Sequence, residues 1–338
     1  MIDGPFFDLA FLWGLIIAFA VYAYVVLDGF DLGVGILFLT VRDPDQRDTM
    51  VNTIAPVWDG NETWLVLGGA GLMAAFPLAY AVVLPALYAP IIAMLMGLIF
   101  RGVAVEYRFK TERWKPLWDV AFTAGSVVAT LCQGIALGAF IQGIEVEGRA
   151  YGGGWWDWLT PFSLMTGVAL TVGYALLGAT WLIMKTGGDL QQRCYRLAWP
   201  LGLGVVALIG LASLWTPLTE PAVATRWFSW PNIAFLSPVP LLVAAAVFAL
   251  YRSLVRRREA APFLSALGLF TLSFIGLGIS LYPYIVPRRV TIWQAAAPDD
   301  SLLFTFVGAA ILIPIILAYT GHAYWVFRGK VEPGAGYH

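Results

Sequence analysis

The chain has 338 residues, 60% of them hydrophobic and only 12% charged, with a net charge of −1 and a mean hydropathy of +0.77. A soluble globular domain carries about 25% charged residues, so this composition excludes one and points to a chain that crosses a membrane many times. The basic residues sit in short scattered connections and form no continuous stripe, which excludes a nucleic-acid partner.

A helix needs about 20 apolar residues to cross about 30 Å of hydrocarbon. Runs of that kind occupy residues 9–39, 50–76, 78–107, 117–142, 161–184, 197–217, 231–254, 262–284 and 301–327. The expected fold class is therefore an all-α integral membrane protein, one polytopic domain over residues 1–338 with nine transmembrane helices. Eight of these can form two four-helix bundles, with the ninth peripheral. The start, Met1-Ile2-Asp3-Gly4-Pro5, has no basic segment and reads as no cleavable leader. Phe76-Pro77 reads as the corner of a tight helical hairpin between the second and third runs.

Charge orients the runs, because Lys and Arg concentrate in cytoplasmic connections. One alternate set of connections holds Arg42, Arg47, Arg108, Lys110, Arg113, Lys115, Lys185, Arg193, Arg196, Arg252, Arg256, Arg257, Arg258, Arg328 and Lys330. The other set holds only Arg149, Arg226, Arg288 and Arg289, and Arg101 stays inside the third run. The expected topology has a periplasmic N-terminus and a cytoplasmic C-terminus. The outer connections are aromatic, as in Trp155-Trp156-Asp157-Trp158 and Trp227-Phe228-Ser229-Trp230, and suit an interfacial belt.

The polar residues inside the first two runs carry the chemistry. An ionisable side chain in a bilayer costs roughly 2.5–3.5 kcal/mol on insertion scales, so it marks a function by default. Asp28 and Asp31 share a helix face, and Gly29 and Gly33 have the small-residue spacing that lets a second helix approach closely. In the second run Asp59, Glu62 and Thr63 fall on one face beside Trp58. At 1.5 Å per residue, Asp28 lies about 18 Å from Thr40 and Asp59 about 14 Å from Met50, so the two carboxylates are expected at similar depth. Buried carboxylates there can relay protons. The competing reading of 27–33 is a polar turn between two short helices, with Asp28 and Asp31 bonding backbone. Asp31 and Glu62 also suit a purely structural pairing. Arg101 suits a salt bridge or a snorkelling side chain, or else a positive charge held near an anionic group. Only His322, near a helix end, and His338, in the tail, supply imidazole, and the two cysteines, Cys132 and Cys194, offer no disulfide framework or metal motif. The chain reads as poor in cofactors of its own.

The residues resemble subunit II of the bd-type terminal quinol oxidases. The matching stretches are Met1-Ile2-Asp3, Leu27-Asp28-Gly29-Phe30-Asp31-Leu32-Gly33-Val34-Gly35, and Asn52 through Asn61 with its Ala55-Pro56-Val57-Trp58-Asp59-Gly60 core. Further matches are Phe100-Arg101-Gly102-Val103-Ala104-Val105-Glu106-Tyr107-Arg108, Tyr282-Pro283-Tyr284-Ile285-Val286-Pro287 and Pro314 through Thr320. The Glu62-Thr63-Trp64-Leu65-Val66-Leu67-Gly68-Gly69 continuation is most similar to the branch called cyanide-insensitive. The outer loops between the fifth and eighth runs are shorter than in longer members. The resemblance implies a bacterial cytoplasmic (inner) membrane protein paired with a haem-bearing subunit I. That partner carries two b-type haems and one d-type haem and reduces dioxygen to water with electrons from quinol, while subunit II itself binds no haem.

It also implies a cytoplasmic proton route through carboxylates matching Asp28 and Asp59, with Trp58 and Arg101 at positions associated with assembly or the haem environment. A structural quinone or lipid in this chain, and a small single-helix third subunit, are left open. Two other readings stand beside it. A proton-coupled secondary transporter would use Asp28 and Asp31 in a Gly-interrupted helix, but needs two matching broken helices where the sequence offers one. An assembly subunit would use its acidic residues only to pin helices together.

Overall fold

The first helix, α1 (Leu9–Phe38), is continuous for 30 residues. Asp8 caps it, its Oδ1 accepting from the Phe11 N–H at 2.7 Å, while Oδ2 accepts from the Trp293 indole at 2.6 Å. The computed structural model describes residues 8–331, so the Met1-Ile2-Asp3 match and His338 lie outside the described residues. Because α1 runs unbroken through Asp28 and Asp31, the polar-turn reading of 27–33 is overturned: every backbone N–H there is taken by the helix.

The remaining helices are α2 (Pro44–Asn52), α3 (Trp58–Ala75), α4 (Pro77–Ala86), α5 (Tyr88–Tyr107), α6 (Lys115–Gln142), α7 (Pro161–Lys185), α8 (Gly188–Thr219), α9 (Pro221–Phe228), α10 (Asn232–Leu236), α11 (Pro238–Val255), α12 (Ala261–Leu281), α13 (Ile292–Ala295) and α14 (Asp299–Val326). Two short antiparallel hairpins, Val146–Glu147 with Ala150–Tyr151 and Tyr284–Val286 with Val290–Thr291, decorate one end.

Several expected runs are subdivided. The run 50–76 is two helices with turns at 53–57 around Pro56, whose missing N–H cannot extend α2. Counting depth continuously from Met50 to Asp59 therefore fails. The run 78–107 breaks at Leu87 between Pro85 and Pro90, the run 231–254 breaks at Ser237, and the run 262–284 ends at Leu281. In the other direction, the helix expected over 197–217 begins nine residues earlier at Gly188, because its polar first turns lie beyond the apolar part. The Phe76-Pro77 corner separates α3 from α4 as expected.

Among the described residues eight helices are long and apolar enough to span a membrane: α1, α5, α6, α7, α8, α11 with α10, α12 and α14. The helix α3 has 18 residues, but Asp59, Asn61 and Glu62 occupy its first two turns. In packing, α1 contacts α3, α6 and α7, and α5 lies along α6. The helices α7, α8, α11 and α12 form a ring, and α14 rests on α3 and α1.

Lipid tails are as apolar as leucine, so close backbone approach does much of the work of holding such helices together. A Cβ on Gly33 would meet the Gly178 nitrogen at 2.7 Å as well as the Tyr174 carbonyl, and one on Gly97 would meet the Gly125 oxygen at 2.7 Å. The small-residue face of α1 is thus where α7 docks.

At the end rich in basic residues, five side chains clamp α2 to the α5–α6 turn. Arg108 reaches Asp119 and Asp48, both at 2.6 Å. Arg47 reaches Asp119 at 2.8 Å and Lys115 reaches Asp48 at 2.9 Å. Burial raises the Asp48 carboxyl, yet hydrogen bonds from Lys115 and Arg108 outweigh it and hold the group below the ordinary carboxylate value.

Two outcomes are expected. Gly33→Leu abolishes the monodisperse peak in detergent size-exclusion chromatography, whereas Gly68→Ala, whose Cβ meets only Val21 at an ordinary 3.5 Å, leaves it in place. Because the Asp48 carboxyl is depressed in the folded chain, its stabilisation is complete above the unfolded value of about 3.9 and is lost as pH falls through the folded value. The gap in unfolding temperature between the native chain and Asp48→Asn is then full at neutral pH and closes in strong acid, readable in a detergent thermal-shift series.

Candidate functional site

Along α3 two stripes diverge. Asn61, Trp64, Gly68, Gly71 and Ala75 are buried against α1, while Asp59, Thr63, Val66, Ala70 and Met73 are exposed. Asp59 and Thr63 share the exposed stripe as the sequence suggests, while Glu62 lies at its edge and turns toward Arg101. Residues 59 and 62 stand about 60° apart around the helix, and the boundary between inside and outside passes between them.

Glu62 turns inward and Asp28 lies opposite on α1. Between them stands Arg101 of α5, wholly buried. Its Nη1 is 2.7 Å from Asp28 Oδ1, and its Nη2 pairs with Glu62 Oε1. The Asp28 side chain is fully enclosed, while that of Glu62 is 25% exposed. The cluster therefore starts in the interior and reaches the outer surface. Trp58 covers it, its ring 5.7 Å from the Arg101 guanidinium carbon and packed on Gly102. Arg101 does not snorkel; it is an interior ion-pair partner.

Asp31 is equally buried. Its Oδ2 accepts from Asn61 Nδ2 at 2.6 Å, and the same amide donates to the Leu27 carbonyl at 3.3 Å. Asn61 Oδ1 accepts from the Tyr324 hydroxyl of α14 at 2.9 Å. On the other side, Tyr24 stands one turn before Asp28. Its hydroxyl accepts from Gln133 Nε2 at 2.6 Å, and Gln133 Oε1 accepts from the Tyr174 hydroxyl at 3.1 Å. A polar string thus runs from α14 through α3, α1 and α5 and on to α6 and α7.

The structure unites Asp28, Asp31, Glu62, Arg101 and Trp58 and leaves Asp59 outside, facing away from the chain. Sequence reading missed Asn61, Tyr324, Tyr24, Gln133 and Tyr174. Asn61 and Gln133 carried a usable signal, each being an amide inside an apolar run. Tyr324 carried none, since its partner is 263 positions away. Among the described residues no group of three or more His, Cys, Asp and Glu is placed to hold a metal ion. His322 is exposed, and Cys132 and Cys194 are unbridged.

The sequence profile described as cytochrome bd terminal oxidase subunit II matches residues 9–327. The chain belongs to that family. It is a multi-pass protein of the bacterial inner membrane. It is similar to cytochrome bd-I ubiquinol oxidase subunit 2 of Escherichia coli K12, at 34% identity over 96% of this chain and 95% of the relative. It is also similar to cytochrome bd ubiquinol oxidase subunit 2 of Bacillus subtilis 168, at 28% identity over 95% and 96%. Among solved structures, bd oxidase from Geobacillus thermodenitrificans shares the fold, with a TM-score of 0.75, 17% identity and coverage of 92% of this chain and 97% of that one. Against this background, and with α1 unbroken, the transporter reading is not favoured.

Removing Arg101 leaves Asp28 buried beside no cation. Arg101→Met is expected to cost about 3–5 kcal/mol, the usual penalty for breaking a buried pair. The double variant Asp28→Asn/Arg101→Met should recover part of that loss. A double-mutant cycle of detergent unfolding temperatures checks the coupling.

Proposed function

We propose that this chain is the haem-free subunit of a quinol oxidase complex that reduces dioxygen to water with electrons from quinol. In this reading it stabilises a haem-bearing subunit I and conducts protons from the cytoplasm toward it. Asp28 and Asp59 are the proton-carrying carboxylates; Asp31, Glu62, Arg101 and Trp58 support them.

One observation carries the proton role. A single buried guanidinium, Arg101, faces Asp28 and Glu62, with Asp31 one turn further along α1. One cation meets one carboxylate's charge, and the charge left over falls to hydrogen bonds such as that of Asn61 to Asp31, to the surface that Glu62 reaches, and to protons. The cluster also reaches the outer surface through Glu62, close to the stripe bearing Asp59. A proton released there leaves the chain on the side where a partner subunit would pack.

The two b-type haems and one d-type haem are assigned to that partner. Among the described residues the interior offers a haem iron no imidazole, which favours this division. The topology read with it has nine crossings in two four-helix bundles, the first α1, α3, α4–α5 and α6 and the second α7, α8, α11 and α12, with α14 peripheral. The charge bias supports a periplasmic N-terminus and a cytoplasmic C-terminus.

The test is purification of the native complex in mild detergent, with a reduced-minus-oxidised spectrum and quinol-driven oxygen uptake. A co-purifying membrane partner with b-type and d-type haem bands is expected. Asp59→Asn is expected to keep the haem bands and lose at least tenfold in turnover. A colourless preparation overturns the oxidase reading, and a fully active Asp59→Asn complex overturns the role of that carboxylate.

A further inference from the structure

At the end that carries the two hairpins a cavity of about 410 Å³ lies between the α4–α5 break and the loop after the first hairpin. Pro85 and Tyr88 line one side of it, and Tyr151, Gly153, Trp155 and Trp158 the other. The break makes this space. The helix α4 stops at Ala86 and packs against the hairpins, and α5 starts afresh at Tyr88. The rings of Tyr88 and Trp155 meet in a corner, their centroids 5.0 Å apart and their planes at 66°. On the topology proposed above this is the periplasmic boundary of the membrane, since the apolar span of α5 begins at Tyr88.

Three features define what fills it. Aromatic rings attract cations, and a group of them around one space is a receptor for an organic ammonium. The charges agree with this. Residues 144–158 hold three carboxylates, Glu145, Glu147 and Asp157, and one arginine, Arg149. Among the described residues only Glu145 has a cation in reach, Arg289 at 3.5 Å. Asp157 instead backs the cavity wall, its Oδ2 accepting from the Tyr151 hydroxyl at 2.8 Å and from the Gly154 N–H at 2.7 Å. Burial and the Asp157 carboxylate push that hydroxyl up to about 12, so it stays a neutral donor. Second, the Trp158 indole N–H is buried and has no acceptor, although it can only donate. Third, Tyr88, Ile92, Leu95 and Ile99 fall on one face of α5 and all are exposed. They make an apolar lane about 16 Å long that leads away from the cavity.

We propose that this cavity holds the headgroup of an ammonium-bearing zwitterionic phospholipid of the outer leaflet. The ammonium lies among the Tyr88, Tyr151 and Trp155 rings with Asp157 behind them. A phosphate or ester oxygen accepts from Trp158 Nε1, and one acyl chain runs along the α5 lane. A phospholipid with the phosphate alone brings only negative charge to a loop that is itself negative, so the site selects by headgroup. None of this depends on the proton role set out above.

The experiment uses the intact complex, stripped of lipid by detergent exchange and titrated under native mass spectrometry. The probes are dioleoyl phosphatidylethanolamine, dioleoyl phosphatidylglycerol and soluble phosphoethanolamine. Lipid also binds elsewhere on a membrane complex, so the cavity is read as the difference between native and Trp155→Ala complexes. Trp155 is exposed, and an unchanged haem spectrum and oxygen uptake show that this variant is folded. The native complex is expected to hold the ethanolamine lipid at least about fivefold more tightly than the glycerol lipid, and loss of the Trp155 ring to weaken the former about threefold. Trp158→Phe keeps a ring but removes the N–H, and should also weaken the ethanolamine lipid about threefold. Equal retention of the two lipids, or a Trp155→Ala complex with the native preference, overturns the site. Soluble phosphoethanolamine that displaces the lipid at equal concentration overturns the membrane source, because the α5 lane then adds nothing. Each of these results leaves the oxidase assignment standing, since the haem spectrum of the same sample reports on it separately.

Discussion

The structure depends on one buried charge. Arg101 is sealed from solvent in a chain built for lipid, and a guanidinium there is tolerable only with a carboxylate in contact. Asp28 must therefore be brought to it from another helix, and Glu62 from a third. That requirement sets how α1, α3 and α5 stand relative to one another at this depth. The Trp58 ring over the guanidinium adds a fourth wall and helps keep water out.

Holding three helices to that tolerance needs backbones that touch. Gly33 against Gly178 seats α1 on α7, and Gly97 against Gly125 seats α5 on α6. Since α6 also packs on α1 and α7, the two contacts lock Asp28 and Arg101 into a common frame. The helices of the ring beyond α7 bury far less of themselves, with α8, α11 and α12 largely exposed. Precision is concentrated where the charges are.

Much of this was legible in the residues. Asp28, Asp31, Glu62 and Arg101 announce themselves because each is costly in an apolar run, and the Gly29–Gly33 spacing announces a docking face. Hydropathy sees the cost of burial but not the direction of a side chain. Asp59 and Glu62 look alike in sequence, and the structure sends one outward and one inward. The break at 53–57 was hidden because the apolar run continues across it, and the early start of α8 because its first turns are polar. Tyr324 joins Asn61 by folding alone, so no local pattern could announce it.

The outward Asp59 has a consequence for the helix that bears it. It stands in the first turn of α3, where the unpaired backbone N–H groups gather a partial positive charge, so the dipole of α3 favours the carboxylate where it stands. Further along the same stripe Val66, Ala70 and Met73 carry no charge. The outer face of α3 is thus polar at its beginning and apolar for the rest of its length.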